Sequence, residues 1–175
     1  VNIIVNAVQP LISGIAPDNG AIGATTIVTI SGSGFGSTQG SSTVTFGGTA
    51  LTPSSWSDTS ITVSVPSCGL TAGTKAVQVT TCGQGSNTKN YTVSVPSISG
   101  ISPDNGAIGD STIVTISGSG FGSTQGTSTV TFGGTALTPS SWSGTSIIVS
   151  VPSCGLTAGV KAVQVNTCGQ ASNAT

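Results

Sequence analysis

Residues Ser60–Val65 read S-I-T-V-S-V and are followed by Pro66. Polar and apolar side chains alternate along this stretch, which is the pattern of a strand with one face in a core and the other in solvent. Proline ends such a strand because it has no backbone N–H to donate to a neighbour. The stretch therefore predicts a half-buried β-strand.

Further segments of the same kind lie on either side of this strand, each rich in Val, Ile or Thr and bounded by turn-forming residues. They are Leu11–Ala16, Thr25–Ser33, Ser42–Phe46, Ala50–Trp56, Lys75–Thr80 and Lys89–Val95. No segment has helical periodicity. Seven short strands in about 86 residues predict an all-β, immunoglobulin-like sandwich.

The second half of the chain repeats the first. A shift of 86 residues places Trp142 on Trp56, Cys154 on Cys68 and Cys168 on Cys82. Repeats fix the number of domains before any other assignment is made. We therefore predict two tandem domains, one over residues 10–95 and one over residues 96–175.

Four motifs follow one another in each repeat. In the first they are P-D-N-G at 17–20, T-I-V-T-I-S-G-S-G-F at 26–35, V-T-F-G-G-T-A at 44–50 and S-I-T-V-S-V-P at 60–66. This order resembles the IPT/TIG domain, an immunoglobulin-like fold common in bacterial and archaeal surface proteins. The resemblance covers both repeats and implies two tandem β-sandwiches. Basic loop residues of DNA-binding members are absent here, so that activity is not carried over.

Charged residues are rare: the chain has three lysines, four aspartates and no Arg, Glu or His. Three lysines cannot neutralise a phosphate backbone, which argues against nucleic acid as a partner. No run of 18 apolar residues is present, which argues against membrane insertion. So few surface charges give little electrostatic protection against association. We therefore expect much of the surface to be buried in an assembly or covered by sugar.

The residues needed for catalysis are missing. Without His or Glu, no activated nucleophile or acid–base pair can form, so we predict that the protein is not an enzyme and has no catalytic residues. Asp18 and Asp104 each supply one carboxylate to a turn, which is too little for a metal site. Gly32–Gly36 lacks the helix that a nucleotide loop requires and instead predicts a bulge or tight turn. No cofactor is expected.

Aromatic and Asn residues offer two possible links to sugars. Trp56 and Trp142 could stack on a glycan, but a domain with so few aromatic residues is expected to use them in its core. Asn90-Tyr91-Thr92 and Asn173-Ala174-Thr175 are acceptor sequences for N-glycosylation.

Two cysteines in each repeat suggest an oxidising, extracellular setting. Cys68 follows the fifth predicted strand and Cys82 follows the sixth, so about seven extended residues separate them by ~20 Å. A disulfide needs Cα atoms within about 7 Å, which disfavours the Cys68–Cys82 bond. In a head-to-tail pair of domains the strand order instead brings Cys68 towards Cys168. It leaves Cys82 and Cys154 to join successive subunits.

The strands of the two repeats do not balance. The second repeat stops at Thr175, before a counterpart of Lys89–Val95, while Val1–Gln9 precedes the first repeat as an extra strand. The 86-residue shift places Val5 on Tyr91 and Ala7 on Val93. Residues 1–9 are thus predicted to be a donor strand that fills the groove of another molecule with Ile3, Val5 and Ala7.

Donor and acceptor at opposite ends of a subunit generate an open polymer. The first hypothesis is therefore a structural subunit of an extracellular filament or pilus, secreted with any signal peptide already removed, whose partner is itself. The alternative is a tandem spacer, or a glycan- or receptor-binding module, of a larger cell-surface protein. In that case Val1–Gln9 would be the last strand of a preceding domain.

Overall fold

The computed structural model describes residues 9–175, and the regular structure of these residues is entirely β-strand. The first repeat contains β1 Leu11–Ala16, β2 Asn19–Ala21, β3 Thr26–Ser33, β4 Thr43–Phe46, β5 Thr49–Leu51, β6 Pro53–Trp56, β7 Ser60–Val65, β8 Gly73–Thr81, β9 Gln84–Gly85 and β10 Lys89–Ser94. The second contains β11 Ser97–Ser102, β12 Thr112–Ser119, β13 Thr129–Phe132, β14 Thr135–Leu137, β15 Pro139–Trp142, β16 Ser146–Val151, β17 Val163–Thr167 and β18 Gln170–Ala171. The all-β prediction is confirmed.

Each repeat forms two sheets whose strands pair antiparallel, except that β2 runs parallel to β10: the Thr92 N–H donates to the Asp18 carbonyl and the Ile22 N–H to the Ser94 carbonyl. In the first repeat one sheet has the order β1-β3-β7-β6 and the other β2-β10-β8-β4-β5, with β9 beside β8. In the second repeat the orders are β11-β12-β16-β15 and β14-β13-β17-β18. The predicted strand Ser60–Val65 is β7, which buries Ile61, Val63 and Val65 and pairs with both β3 and β6.

The segment Ala50–Trp56 does not form the single strand that its composition predicted. It divides into the end of β5 and β6, which are edge strands of different sheets. Pro53 begins β6, where its missing N–H costs no sheet hydrogen bond because the strand lies at an edge. The chain therefore crosses from one sheet to the other at Thr52.

The chain divides into two compact units that do not coincide with the repeats. The second unit contains Ser94–Thr175 together with two short segments of the first repeat, Ala21–Ala24 and Ser67–Ala72. The first unit contains the other described residues. Its core includes Val28, Ile30, Phe46, Ile61, Val63 and Val77. The core of the second is formed by Ile98, Val114, Ile116, Phe121, Val130, Ile147, Val149, Val163 and Val165.

Glycine is required at the end of β3. A Cβ atom added to Gly32 would overlap the Leu11 carbonyl oxygen and the ring of Phe35. Gly34 and Gly36 both have φ in the left-handed region, at 72° and 86°. Gly32–Gly36 is therefore a tight turn between strands.

Candidate functional site: an open groove in the second domain

In the first repeat, β10 completes the sheet and closes the core. It pairs with β8, so that Lys89 lies opposite Val77, Tyr91 opposite Lys75 and Val93 opposite Gly73. Tyr91 is 1% exposed and Val93 6% exposed. The Tyr91 ring meets the Phe46 ring edge-on, with centroids 5.3 Å apart. This strand therefore supplies one wall of the core.

The described part of the second repeat reaches only the first position of the corresponding strand. Thr175 aligns with Lys89, and its carbonyl accepts a hydrogen bond from the Val163 N–H at 2.9 Å. The Thr175 N–H in turn donates to the Val163 carbonyl at 3.3 Å. These bonds reproduce the pairing of Lys89 with Val77. The places of the residues that align with 90–95 are not filled by any described residue.

The strand that should pair with this segment is shortened. β8 begins at Gly73, whereas its counterpart β17 begins only at Val163, so residues 159–162 have no strand structure. Residues 105–107, which align with β2, are not in a strand either. An extended backbone keeps its ladder geometry only while a neighbour accepts and donates its hydrogen bonds. Both losses therefore follow from the unfilled place between them.

A groove of about 960 Å³ lies at this place. Its apolar floor consists of core residues, namely Ile101, Val114, Phe132, Val151 and Val163. Asp104, Asp110 and Lys161 belong to its lining as well. Lys161 Nζ donates to Thr157 Oγ1 at 2.8 Å. An apolar floor beside a backbone segment with one open edge is suited to an extended peptide that adds a strand.

Burial shows what the groove exposes. Ile22 is 2% exposed, but its counterpart Ile108 is 66% exposed. Phe132 is partly exposed where Phe46 is completely buried, and Val151 is partly exposed where Val65 is buried. Large exposed apolar patches mark sites of association in soluble proteins. Among the described residues, the groove is therefore an exposed apolar surface of the second domain.

The predicted donor residues Ile3, Val5 and Ala7 lie outside the described residues. In the 86-residue register, Val5 and Ala7 take the places of the buried residues Tyr91 and Val93, which are open in the second domain. Ile3 takes the place of Lys89, which Thr175 already occupies. A donor strand therefore has room for the residues from 4 onwards, and Ile3 must displace Thr175 to enter.

The structure joins Cys68 and Cys168 in a disulfide with a Cα–Cα distance of 5.6 Å. Both residues belong to the second unit, because Ser67–Ala72 is part of it. Cys82 and Cys154 are exposed free thiols, so the disulfide expected between subunits remains a prediction. Because Cys68 is bonded to Cys168, it cannot also form a bond with Cys82.

Trp56 and Trp142 each bind the tight turn of their own repeat. Trp56 Nε1 donates to the carbonyl oxygens of Phe35 and Gly36 at 3.1 and 3.2 Å, and its ring meets Phe35 edge-on. Trp142 makes the same contacts with Phe121 and Gly122. Both indoles are half-buried rather than central to a core. The two indoles hold the turn against the edge strand. The prediction that they lie in the core is therefore only partly correct, because each is half-buried.

The two candidate glycosylation residues differ in their surroundings. Asn90 is an exposed residue of β10. The Asn173 side chain is bound to the backbone: its Oδ1 accepts from the Ile98 N–H at 2.7 Å and its Nδ2 donates to the Ile98 carbonyl at 3.0 Å. Asn87 makes the same pair of bonds to Ile12. Asn173 therefore has a structural role, and Asn90 is the better placed acceptor for a glycan.

We expect Asn173→Ala to destabilise the second domain by about 1–3 kcal/mol, because both polar groups of the buried residue Ile98 lose their partners. Asn90→Ala is the matched control and should change stability by less than about 0.5 kcal/mol. Urea unfolding of the two variants measures both effects. Equal stabilities would contradict the role of the Asn173 side chain.

Asp18 and Asp104 remain turn residues in the structure. Their Oδ1 atoms accept hydrogen bonds from the side chains of the following residues, Asn19 and Asn105, at 2.9 and 3.0 Å. Among residues 9–175 no three His, Cys, Asp or Glu side chains form a group that could hold a metal ion. No helix in that range is long and apolar enough to cross a membrane.

Two features of the site were not predicted from the sequence. One is the loss of strand structure at residues 159–162, and the other is the inclusion of Ala21–Ala24 and Ser67–Ala72 in the second unit. The sequences of these segments and of their counterparts in the other repeat are almost the same. Their different structures arise from their neighbours and leave no local signal.

The two sheets of each repeat define a tandem immunoglobulin-like β-sandwich protein. Residues 10–95 and 96–175 each match the IPT/TIG domain. The chain therefore belongs to the IPT/TIG family.

Individual relatives cover the chain to different extents. A cyclomaltodextrin glucanotransferase of Niallia circulans is 46% identical over 88 residues, which are 48% of this chain and 11% of that enzyme. The chain thus corresponds to about a tenth of the curated relative's length. A solved extracellular region of plexin A4 is 20% identical with a TM-score of 0.48, covering 93% of this chain and 17% of that one. A surface glycan-binding protein of Prevotella bryantii is 17% identical with a TM-score of 0.40, covering 95% and 41%.

Proposed function

We propose that the chain is a structural subunit of an extracellular filament, in which Val1–Gln9 of one copy completes the second domain of the next. The groove beside residues 159–162 is the observation that carries this function. It lies where β10 completes the first domain, and its floor is apolar. In the 86-residue register Val5, Asn6 and Ala7 alternate as Tyr91, Thr92 and Val93 do in β10, whereas Ile4 and Val8 place apolar side chains on the outward positions of Asn90 and Ser94.

The groove favours a peptide strand over a small ligand for a physical reason. An incoming strand pairs with the backbone of residues 159–162 and buries side chains on the floor in the same step. A small molecule could cover the floor but would leave the backbone donors and acceptors without partners. The proposed subunit needs no catalysis, and the disulfide in the second unit suits an oxidising extracellular location.

A second candidate is a tandem module of a larger secreted or surface protein, with the groove filled by further residues of the same polypeptide. The similarity to a cyclomaltodextrin glucanotransferase supports it, since one repeat of this chain corresponds to a small part of a much longer enzyme. Such a module would act as a spacer or bind glycans. The names of the relatives describe enzymes and binding proteins, and support for strand donation comes from the groove alone.

Deleting Val1–Gln9 separates these functions. We expect the intact chain to form filaments visible by negative-stain microscopy and to sediment as a polymer. The chain without residues 1–9 should remain a monomer, since it has acceptor grooves and no donor. Adding a peptide of residues 1–9 to the truncated chain should give a capped monomer with one peptide bound.

The spacer function predicts the opposite. Intact and truncated chains would then have the same sedimentation coefficient at every concentration. A peptide of residues 89–95 serves as a positive control for the groove, because it is the strand that completes the nearly identical first domain.

A further inference from the structure

Two short segments of the first repeat make close backbone contacts inside the second unit. The Gly23 N–H donates to the Ser67 carbonyl at 2.8 Å, and the Ile22 N–H donates to the Ser94 carbonyl at 3.0 Å. A Cβ atom on Gly122 would lie 2.6 Å from the Gly23 carbonyl oxygen. This distance is too short for any side chain. We call the contact of Ala21–Ala24 and Ser67–Ala72 with Gly120–Gly122 and Thr167–Gly169 the clasp, and the Cys68–Cys168 disulfide belongs to it.

Both halves of the clasp occur a second time in the chain. The segments at 107–110 and 153–158 repeat the first half, and those at 34–36 and 81–83 repeat the second. Ser67–Ala72 and residues 153–158 have the same sequence, S-C-G-L-T-A. The chain therefore carries one further copy of each surface of a contact that it already makes.

These second copies are folded for the contact but uncovered. The Gly109 N–H donates to the Ser153 carbonyl at 2.9 Å, as Gly23 does to Ser67. Cys82 and Cys168 both have positive φ, at 47° and 51°. Yet Gly36 is exposed where Gly122 is buried, and an added Cβ at Gly109 would meet nothing within 4 Å. Residues 107–110 and 153–158, and residues 34–36 and 81–83, thus have the backbone geometry of the clasp, but among the described residues the opposite half of a clasp does not pack against them.

We propose that a second copy of this chain docks here, with its residues 34–36 and 81–83 against residues 107–110 and 153–158 of the first copy. In this junction Cys154 of one copy takes the role of Cys68, and Cys82 of the other takes the role of Cys168. The junction rests on the proposed filament, since it repeats the clasp from one copy to the next. It adds the surface and the covalent bond that hold successive subunits together.

Bond formation at the junction is an oxidation. The Cys154 and Cys82 thiols lose two protons and two electrons and form one S–S bond. The electrons go to a small disulfide such as oxidised glutathione, which is reduced to two thiols. Both cysteines are exposed, so each is accessible to the oxidant.

The junction differs from the clasp in charge. Asp110 replaces Ala24 in the loop of the first copy, and Asp58 replaces Gly144 beside the receiving turn of the second. Asp58 Oδ1 accepts a hydrogen bond from the Gly36 N–H at 2.9 Å, which places the carboxylate at the turn. Like charges on facing surfaces weaken association. Asp110→Ala should therefore increase the initial rate of cross-linking about two- to fivefold, while Asp18→Ala, outside the junction, should leave it unchanged.

Variants of the full chain in which one free cysteine is replaced by serine test the junction. Each is incubated with oxidised glutathione, and covalent products are identified by non-reducing electrophoresis and peptide mapping. The native chain should give a ladder of covalent oligomers. Cys82→Ser and Cys154→Ser should each remain monomeric alone, and an equal mixture of the two should give a dimer containing a Cys154–Cys82 peptide pair. A dimer from Cys82→Ser alone would mean a symmetric contact through Cys154 and would overturn the junction.

Deletion of Val1–Gln9 distinguishes this result from the filament itself. If intact chains polymerise but never form the Cys154–Cys82 pair, the junction is wrong and strand donation stands. If the truncated chain forms that pair as fast as the intact one, the junction stands and strand donation is wrong. A native chain that forms neither polymer nor pair overturns both.

Discussion

Val5→Asp is expected to abolish assembly of the chain. The 86-residue register puts Val5 in the place of Tyr91, which is 1% exposed in the first domain, so the substitution drives a carboxylate into an apolar groove. An unpaired charge there costs several kcal/mol, and the apolar burial of valine is lost as well. A penalty of about 3 kcal/mol or more weakens binding more than about a hundredfold.

Asn6→Asp is the matched control, because it adds the same charge one residue further along. In the same register Asn6 falls on Thr92, which is exposed, so its side chain points out of the groove. Sedimentation velocity of both variants at one concentration reads the outcome. We expect the Asn6→Asp chain to polymerise and the Val5→Asp chain to stay monomeric. Equal polymerisation of the two would show that residues 1–9 do not enter the groove in this register.

Cys168→Ser is expected to destabilise the chain far more than Cys154→Ser, because it breaks the Cys68–Cys168 disulfide. The Cys68–Cys168 bond closes a loop with a sequence separation of 100 residues. Restricting a loop of that length in the unfolded chain stabilises the folded state by up to about 4.7 kcal/mol in the entropic model. Cys154→Ser removes a free, exposed thiol and should change stability by less than about 0.5 kcal/mol.

Thermal unfolding with and without reductant checks this expectation. The native chain in reductant should unfold at the same temperature as Cys168→Ser, and the variant should not respond to reductant. Cys154→Ser should unfold with the native chain under both conditions. If reductant leaves the native chain unchanged, the disulfide contributes nothing to the second unit.

Local patterns in the sequence were sufficient to predict the bounds of strands that are half-buried and flanked by turn residues. Ser60–Val65 and Leu11–Ala16 have the bounds that alternation and turn chemistry predicted. The 86-residue repeat also predicted that both halves of the chain have the same architecture, and each repeat does form its own pair of sheets. These features depend on residues close in sequence, or on counting strands between repeats.

Features that depend on neighbours in space were not predictable in the same way. Ala50–Trp56 has the composition of one strand, but it divides at Thr52 into β5 and β6, which are edge strands of two different sheets. Residues 159–162 have nearly the sequence of residues 73–76 but lack the neighbour that makes those residues a strand. Trp56 has the chemistry of a core residue and lies half-buried because Phe35 and its turn occupy one side.

Hydrogen–deuterium exchange at Gly159 and Lys161 tests the central claim most directly. The truncated chain, residues 10–175, is titrated with a peptide of residues 1–9, and their counterparts Gly73 and Lys75, which lie opposite Val93 and Tyr91, serve as the internal reference for a paired strand. We predict that the amides of Gly159 and Lys161 become protected at one peptide per chain and approach the protection of Gly73 and Lys75, while the Val163 amide, which already donates to Thr175, changes little. Unchanged exchange at Gly159 and Lys161 with saturating peptide, while the peptide of residues 89–95 does protect them, would contradict strand donation by Val1–Gln9.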